Sequence, residues 1–209
     1  MTPPAPATTP QGGGSTFCEA ADRSVDAAAV FWRGEANPAV LSVEARRVPA
    51  GHGDAFDIRQ FERLATVLRQ ADGHELLLLS DGEHRLQIDV TAGSLFDGPV
   101  CLRYELSGFR HIEAKTLTLR RLLLLCRLGR FPRGLFPPEP RAHRWAMALQ
   151  AYDGIQAGAS HREIAAALFG EKVVKEDWCG RSDYLRLRVQ RLVRTADQLV
   201  NGGYRDLLR

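Results

Sequence analysis

The stretch "FPRGLFPPEP", residues 131 to 140, places four prolines and a glycine within ten positions. Proline has no amide hydrogen and a fixed φ, so neither a helix nor a strand ladder continues through such a segment. It is linker chemistry and the best candidate domain boundary in the chain. Upstream, alternation with period two dominates; downstream, apolar residues recur at helical spacing.

On the amino-terminal side, Glu35 to Pro38 reads as a turn and Val40 to Val48 alternates as a strand should. "FDIRQFERLATVLRQA" reads either as a short helix or as an irregular connection. In "HELLLLSDGEHRLQIDV", Asp81-Gly82 separates two apolar runs, which predicts a hairpin with a type I′ turn. Leu86, Ile88 and Val90 then alternate with Arg85, Gln87 and Asp89, as in a strand with one wet face. "GPVCLRYELSG" supplies a further antiparallel strand. From His111 the period becomes helical, with Leu117, Leu119, Leu122, Leu123 and Cys126 on one side and Arg120, Arg121 and Arg127 on or near the other, ending at Gly129. This helix is expected to pack on the sheet.

Beyond the prolines the pattern is helical throughout. A helix from about Pro140 to Gln156 turns Trp145, Leu149, Tyr152 and Ile155 inward and stops at Gly158. In "AGASHREIAAALFG", Ser160 and Glu163 have capping-box spacing, which starts a helix whose apolar side is Ile164, Ala165, Leu168 and Phe169. Its alanines permit a close crossing. The last helix is expected from Ser182, a suitable N-cap, to Asn201-Gly202-Gly203. Leu185, Val189, Leu192, Ala196 and Leu199 form its inner stripe, Arg186, Gln190 and Arg194 face away, and Arg188 and Arg191 lie at the edge. The expected fold is therefore α+β: a small antiparallel β-sheet with a packed helix over residues 26–130, then an all-α, tri-helical, helix-turn-helix-like domain over residues 139–209. Residues 1–25, which include "MTPPAPATTPQGGGST", read as a disordered leader.

Composition narrows the function. With 44% hydrophobic and 8% aromatic residues, the 209-residue chain can bury an ordinary core. The longest candidate for a membrane span, Leu122 to Leu125, is flanked by arginines and falls far short of the roughly 18 to 20 apolar residues a membrane span needs. The amino terminus lacks the basic and apolar regions of a secretory signal. Cys18, Cys101, Cys126 and Cys179 form no C-x-x-C pair, which suggests reduced structural thiols and a cytoplasmic setting. The net charge of +3 conceals a split: eight basic against fourteen acidic residues in 1–100, and twenty against eleven in 101–209. That split suggests a polyanion-facing module in the carboxyl-terminal half.

No catalytic, metal or cofactor site is expected. His52, His74, His84, His111, His143 and His161 show no metal-ligand spacing, and "QGGGST" lacks the lysine of a phosphate-binding loop. Asp54 with Asp57, or Asp81 with Glu83, occupies turn sequence where carboxylates normally sit. The polar side of the last helix is the better candidate, because arginine contacts phosphate or guanine edges and glutamine pairs with adenine. The candidate DNA-contacting residues are Arg162, Lys172, Lys175, Arg181, Arg186, Arg188, Gln190, Arg191 and Arg194. The connection "EKVVKEDWCGR" is long for a helix-turn-helix and carries Glu171, Glu176 and Asp177. It reads as a covering loop or as a recognition element. The competing structural reading is a bundle whose arginines are merely solvated, with Trp178 as a core plug.

The segments "RAHRWAMALQAYDGIQAGASHREIAAALFG" and "DWCGRSDYLRLRVQRLVRTADQLVNGGYRDLL", with "LLLLSDGEHRLQIDV" and "LTLRRLLLLCRLGRF" upstream, resemble a variant helix-turn-helix domain found in regulators carried on integrative and conjugative elements of proteobacteria. The resemblance runs from about Phe31 onward, and "GGYRDLL" is its most distinctive piece. It implies that Ser160 to Phe169 is the first helix of the motif and Ser182 to Asn201 the recognition helix. It also implies double-stranded DNA as partner and activation of element excision or transfer. The alternative within the same resemblance is an anti-activator whose partner is a related regulator protein; RNA polymerase is a further expected protein partner. Activators of this kind often carry another amino-terminal domain. Here a proline- and glycine-rich leader stands in its place, which suggests a truncated partner or one half of a split regulator.

Overall fold

A computed structural model describes residues 29–178 and 183–208. The expected leader, Cys18, Cys179, Arg181 and the proposed N-cap Ser182 lie outside the described residues. The fold is α+β, a six-stranded sheet carrying one helix followed by a helical unit. The chain separates into two compact units between Phe136 and Pro137.

The first unit contains β1 (Leu41–Arg47), β2 (Ala55–Phe56), a 3-10 turn (Ile58–Phe61), β3 (Ala65–Arg69), β4 (Glu75–Ser80), β5 (Arg85–Ala92), β6 (Val100–Tyr104) and α1 (Ile112–Leu128). "FDIRQFERLATVLRQA" is thus a short turn and a strand. Strand order is β2-β6-β1-β5-β4-β3. Every neighbouring pair is antiparallel except β1 with β5, where Leu41 pairs with Ile88 in parallel register. The expected all-antiparallel pairing therefore fails at one ladder. Two strands so distant in sequence are joined through intervening chain, and no local turn signal encodes their relative direction.

The leucine run of β4 is buried on both sides. Leu77 and Leu79 enter the main core with Leu41, Val43, Ile88, Val90, Leu122 and Leu125. Leu76 and Leu78 pack on the opposite face with Phe31 and Leu68. The segment through Phe31 and Trp32 also covers Gln87, whose amide oxygen accepts from the Trp32 N–H at 2.8 Å while its NH2 donates to the Trp32 carbonyl at 2.6 Å. Gln87 is therefore buried and satisfied, not wet as its alternation implied. The hairpin at Asp81 falls where expected, but residues 81–84 connect the strands and only Gly82 has positive φ, so the turn is not type I′. Asp81 instead accepts from the backbone amides of Glu83 and His84.

On α1 the buried residues are Thr118, Leu122 and Leu125; Leu117, Leu123 and Cys126 are exposed. The inner stripe is rotated from the one read in sequence because Thr118 satisfies itself internally, its hydroxyl donating to the Ala39 carbonyl at 2.8 Å. Arg121 likewise turns inward. It donates to the Leu135 carbonyl at 3.0 and 2.7 Å and lies 4.0 Å over the Phe136 ring. Burial lowers its pKa. Gly129 closes the helix in the left-handed conformation, its N–H reaching the Leu125 carbonyl.

The second unit contains α2 (Ala142–Gln156), α3 (His161–Phe169), α4 (Glu171–Asp177), α5 (Tyr184–Val200) and a 3-10 turn (Gly203–Leu208). The segment read as a long connection is largely α4, so among the described residues four α-helices stand where three were expected. Val174, 1% exposed, holds α4 to the core. A single residue, Gly170 at φ 92° and ψ 148°, separates α3 from α4.

Candidate nucleic-acid interface

Placement of α5 begins with small residues. Ala148 and Ala151 on α2 and Ala196 on α5 are fully buried, together with Leu185, Val189 and Leu192. Alanine side chains at a contact let helix axes approach closely. On α2, Met147, Tyr152 and Ile155 only edge this core, while Leu149 is exposed, contrary to its expected inward position. The alanines account for the difference, because they occupy the closest part of the contact and displace the larger residues to its rim.

The α3 helix is set by its cap. Ser160 Oγ accepts from the Glu163 N–H at 3.3 Å, and the Glu163 carboxylate accepts from the Ser160 N–H at 2.8 Å and its hydroxyl at 2.7 Å. These bonds hold the Glu163 carboxyl below its ordinary pKa, the backbone bond contributing most. Ile164 and Ala165 are buried on the expected face. Gly154 of α2 lies against Ile164, where an added Cβ would come within 2.9 Å of its Cγ1.

The candidate residues sort into three groups. Arg186 and Arg188 flank the buried stripe of α5 and are engaged within the unit. Arg186 lies 3.5 Å from Asp183 Oδ1 and 5.7 Å from the Trp178 ring centre, while Arg188 sits 4.2 Å over the Phe169 ring. These contacts tie α5 to the ends of α4 and α3. Gln190, Arg191 and Arg194 occupy the outer face; all are exposed, and no ion pair to them occurs among the described residues. Arg162, Lys172 and Lys175 are exposed on α3 and α4. The α4 lysines stand among exposed Glu171, Glu176 and Asp177, so that helix has no basic face. Arg181 lies outside the described residues.

Sequence reasoning missed Leu187, 46% exposed on the outer face between Arg194 and Arg191 in projection. Its departure from the apolar stripe was a readable signal. It also misplaced charge. Residues 101–136 hold eight Lys and Arg against two Asp and Glu, whereas 137–207 hold eleven against nine. The excess assigned to the carboxyl-terminal half thus belongs mainly to α1 and its flanks. Among the described residues no group of three His, Cys, Asp or Glu could hold a metal ion, and no helix is long and apolar enough to cross a membrane.

The capped helix α3 thus precedes a longer helix, α5, whose outer face exposes Gln190, Arg191 and Arg194. Residues 108–209 match the model of a family described as "T6SS, Transcription factor, DNA binding domain". The match, over just under half of the chain, supports a DNA-binding regulator. The match takes in α1 as well as all four helices of the second unit. No curated protein matches the chain.

Proposed function

We propose that this protein is a transcriptional regulator whose helical unit engages duplex DNA through the outer face of α5. The observation that carries this reading is the exposed set Gln190, Arg191 and Arg194 on one face of a helix inside the matched span. Arg191 and Arg194 contact phosphates or guanine edges, Gln190 an adenine edge, and Leu187 a thymine methyl group. Arg186 and Arg188 position α5 through Trp178 and Phe169, and their exposed ends reach the backbone. Arg162, Lys172, Lys175 and Arg181 supply further phosphate contacts.

The regulated genes follow from the resemblance: excision or transfer functions of an integrative and conjugative element, activated in the cytoplasm with RNA polymerase as the protein partner. The matched family carries a type VI secretion description, so promoters of that kind are the competing targets. Fluorescence anisotropy against promoter fragments of both kinds, beside an unrelated duplex, tests the reading. Specific binding that disappears in a folded Arg191→Glu/Arg194→Glu variant supports it. Absence of binding to every fragment at low salt overturns it.

One observation favours a second reading, an anti-activator that binds a related regulator. The helical unit is nearly balanced in charge, and α4 exposes three carboxylates. Under that reading the protein co-purifies with a regulator and does not retain duplex.

A further inference from the structure

A protein whose affinity for duplex comes from neutralising phosphates needs cations that are not already neutralised within the protein. The helical unit has few in excess: eleven basic residues face nine acidic ones over 137–207. The surplus lies elsewhere. In the first unit, α1 and the chain just beyond it expose Arg120, Arg127, Arg130 and Arg133. At helical spacing Arg120 and Arg127 share one face, opposite buried Thr118, Leu122 and Leu125. Among the described residues none of these four arginines forms an ion pair. The sole carboxylate on α1 is Glu113, in its first turn.

Arg121, in the same run, shows the contrast. Its guanidinium is occupied by the Leu135 carbonyl and the Phe136 ring, so it is a structural arginine. Arg127 and Arg130 adjoin the carboxyl end of α1, where a helix dipole favours cations. That effect does not account for Arg120, two turns earlier, or Arg133, beyond the helix.

We infer that the outer face of α1, with Arg120, Arg127, Arg130 and Arg133, is a second DNA-contacting surface that binds phosphates without reading sequence. Duplex is the occupant favoured by two independent observations. The matched DNA-binding span begins at residue 108 and therefore includes α1, although α1 packs on the sheet. The patch also supplies the unneutralised charge that the helical unit lacks. Exposed Leu117, Leu123 and Leu128 adjoin the arginines, and an acidic protein seated on them is the alternative occupant that the test separates. This inference rests on the DNA-binding reading above.

The test uses the full chain and a fluorescein-labelled duplex, with anisotropy read from 50 to 200 mM salt. Loss of two phosphate contacts lowers the slope of log K against log salt by about 1.8. The Arg120→Gln/Arg127→Gln variant is expected to show that reduction on specific and unrelated duplexes alike. Over this salt range wild-type affinity then falls about tenfold more than that of the variant. Arg130→Gln/Arg133→Gln, outside the helix, is expected to do the same and guards against a helix effect in the first variant. If wild type binds, Arg191→Gln/Arg194→Gln abolishes specific binding, and both α1 variants keep the wild-type slope and affinity, this inference is overturned while the α5 reading stands. An unchanged slope with loss of a co-purifying acidic protein assigns the face to that partner, and also overturns it. If wild type binds no duplex at any salt, both readings fall together.

Discussion

Replacing Gly154 tests the close crossing that sets α3 against α2. In an unobstructed helix, Gly→Ala stabilises by about 1 kcal/mol, because alanine loses less backbone freedom on folding. At Gly154 the new Cβ would lie 2.9 Å from Ile164 Cγ1. Carbon atoms in favourable contact stand about 3.5 to 4.0 Å apart, so the neighbour must move by roughly half an ångström or more. Cγ1 is a branch near the backbone of a residue only 4% exposed, not the free end of a long side chain. Overpacking of this kind costs about 1 to 3 kcal/mol. The net result for Gly154→Ala is a loss of about 0 to 2 kcal/mol, and Gly154→Leu, with three further carbons, is worse. For a unit of this size each kcal/mol displaces the thermal midpoint by about 4 to 8 °C. Circular dichroism at 222 nm follows the helices, and hydrogen exchange of the α2 and α5 amides assigns the loss to this unit. Should alanine and leucine both raise the midpoint by the full propensity gain, the close approach does not exist and the account of how α3 is placed is wrong.

Four further outcomes are expected. Gly93→Ala fails to fold stably, because φ at Gly93 is 80° and an added Cβ would overlap the Ala45 carbonyl oxygen; loss of soluble protein or of sheet signal checks this. Ser160→Ala lowers stability by about 1 kcal/mol through loss of the cap, measured by urea denaturation. Because the folded-state pKa of Glu163 is lowered, the part of the cap it supplies is present above its unfolded pKa and fades as pH falls through the folded value, so the penalty of Glu163→Gln shrinks in acid. Asp89 behaves oppositely. Burial raises its pKa, partly offset by His74 at 4.0 Å, and its Oδ1 has no hydrogen-bond partner among the described residues. Its stabilising form is the protonated one, lost as pH rises through the folded value. Asp89→Asn therefore raises the melting midpoint at pH 7 and leaves it little changed well below the carboxylate range; an equal gain at both pH values would contradict the assignment.

How far the sequence was legible varies with the range of the forces involved. The Ser160 cap was readable because its two partners lie three residues apart and bond each other directly. The inner stripe of α5 was readable because Leu185, Val189, Leu192 and Ala196 repeat at helical period against a strongly polar remainder. α4 was missed because seven residues with five charges show no amphipathic stripe, and Val174 alone anchors it. Among the candidate residues, the pattern named the arginines of α5 but could not separate those stacked on rings from those left free. That division depends on where Phe169 and Trp178 arrive.

The sequence by itself determined the capped α3, the amphipathic α5 and the two apolar runs around Asp81. Each follows from steric limits or hydrogen bonds among residues close along the chain. Tertiary structure alone decided the parallel pairing of β1 with β5, the burial of Gln87 beneath Trp32, the inward turn of Thr118 and Arg121, and the presence of free cations on α1. These depend on surfaces brought together from distant segments, where burial and the need to pair every buried polar group override local pattern.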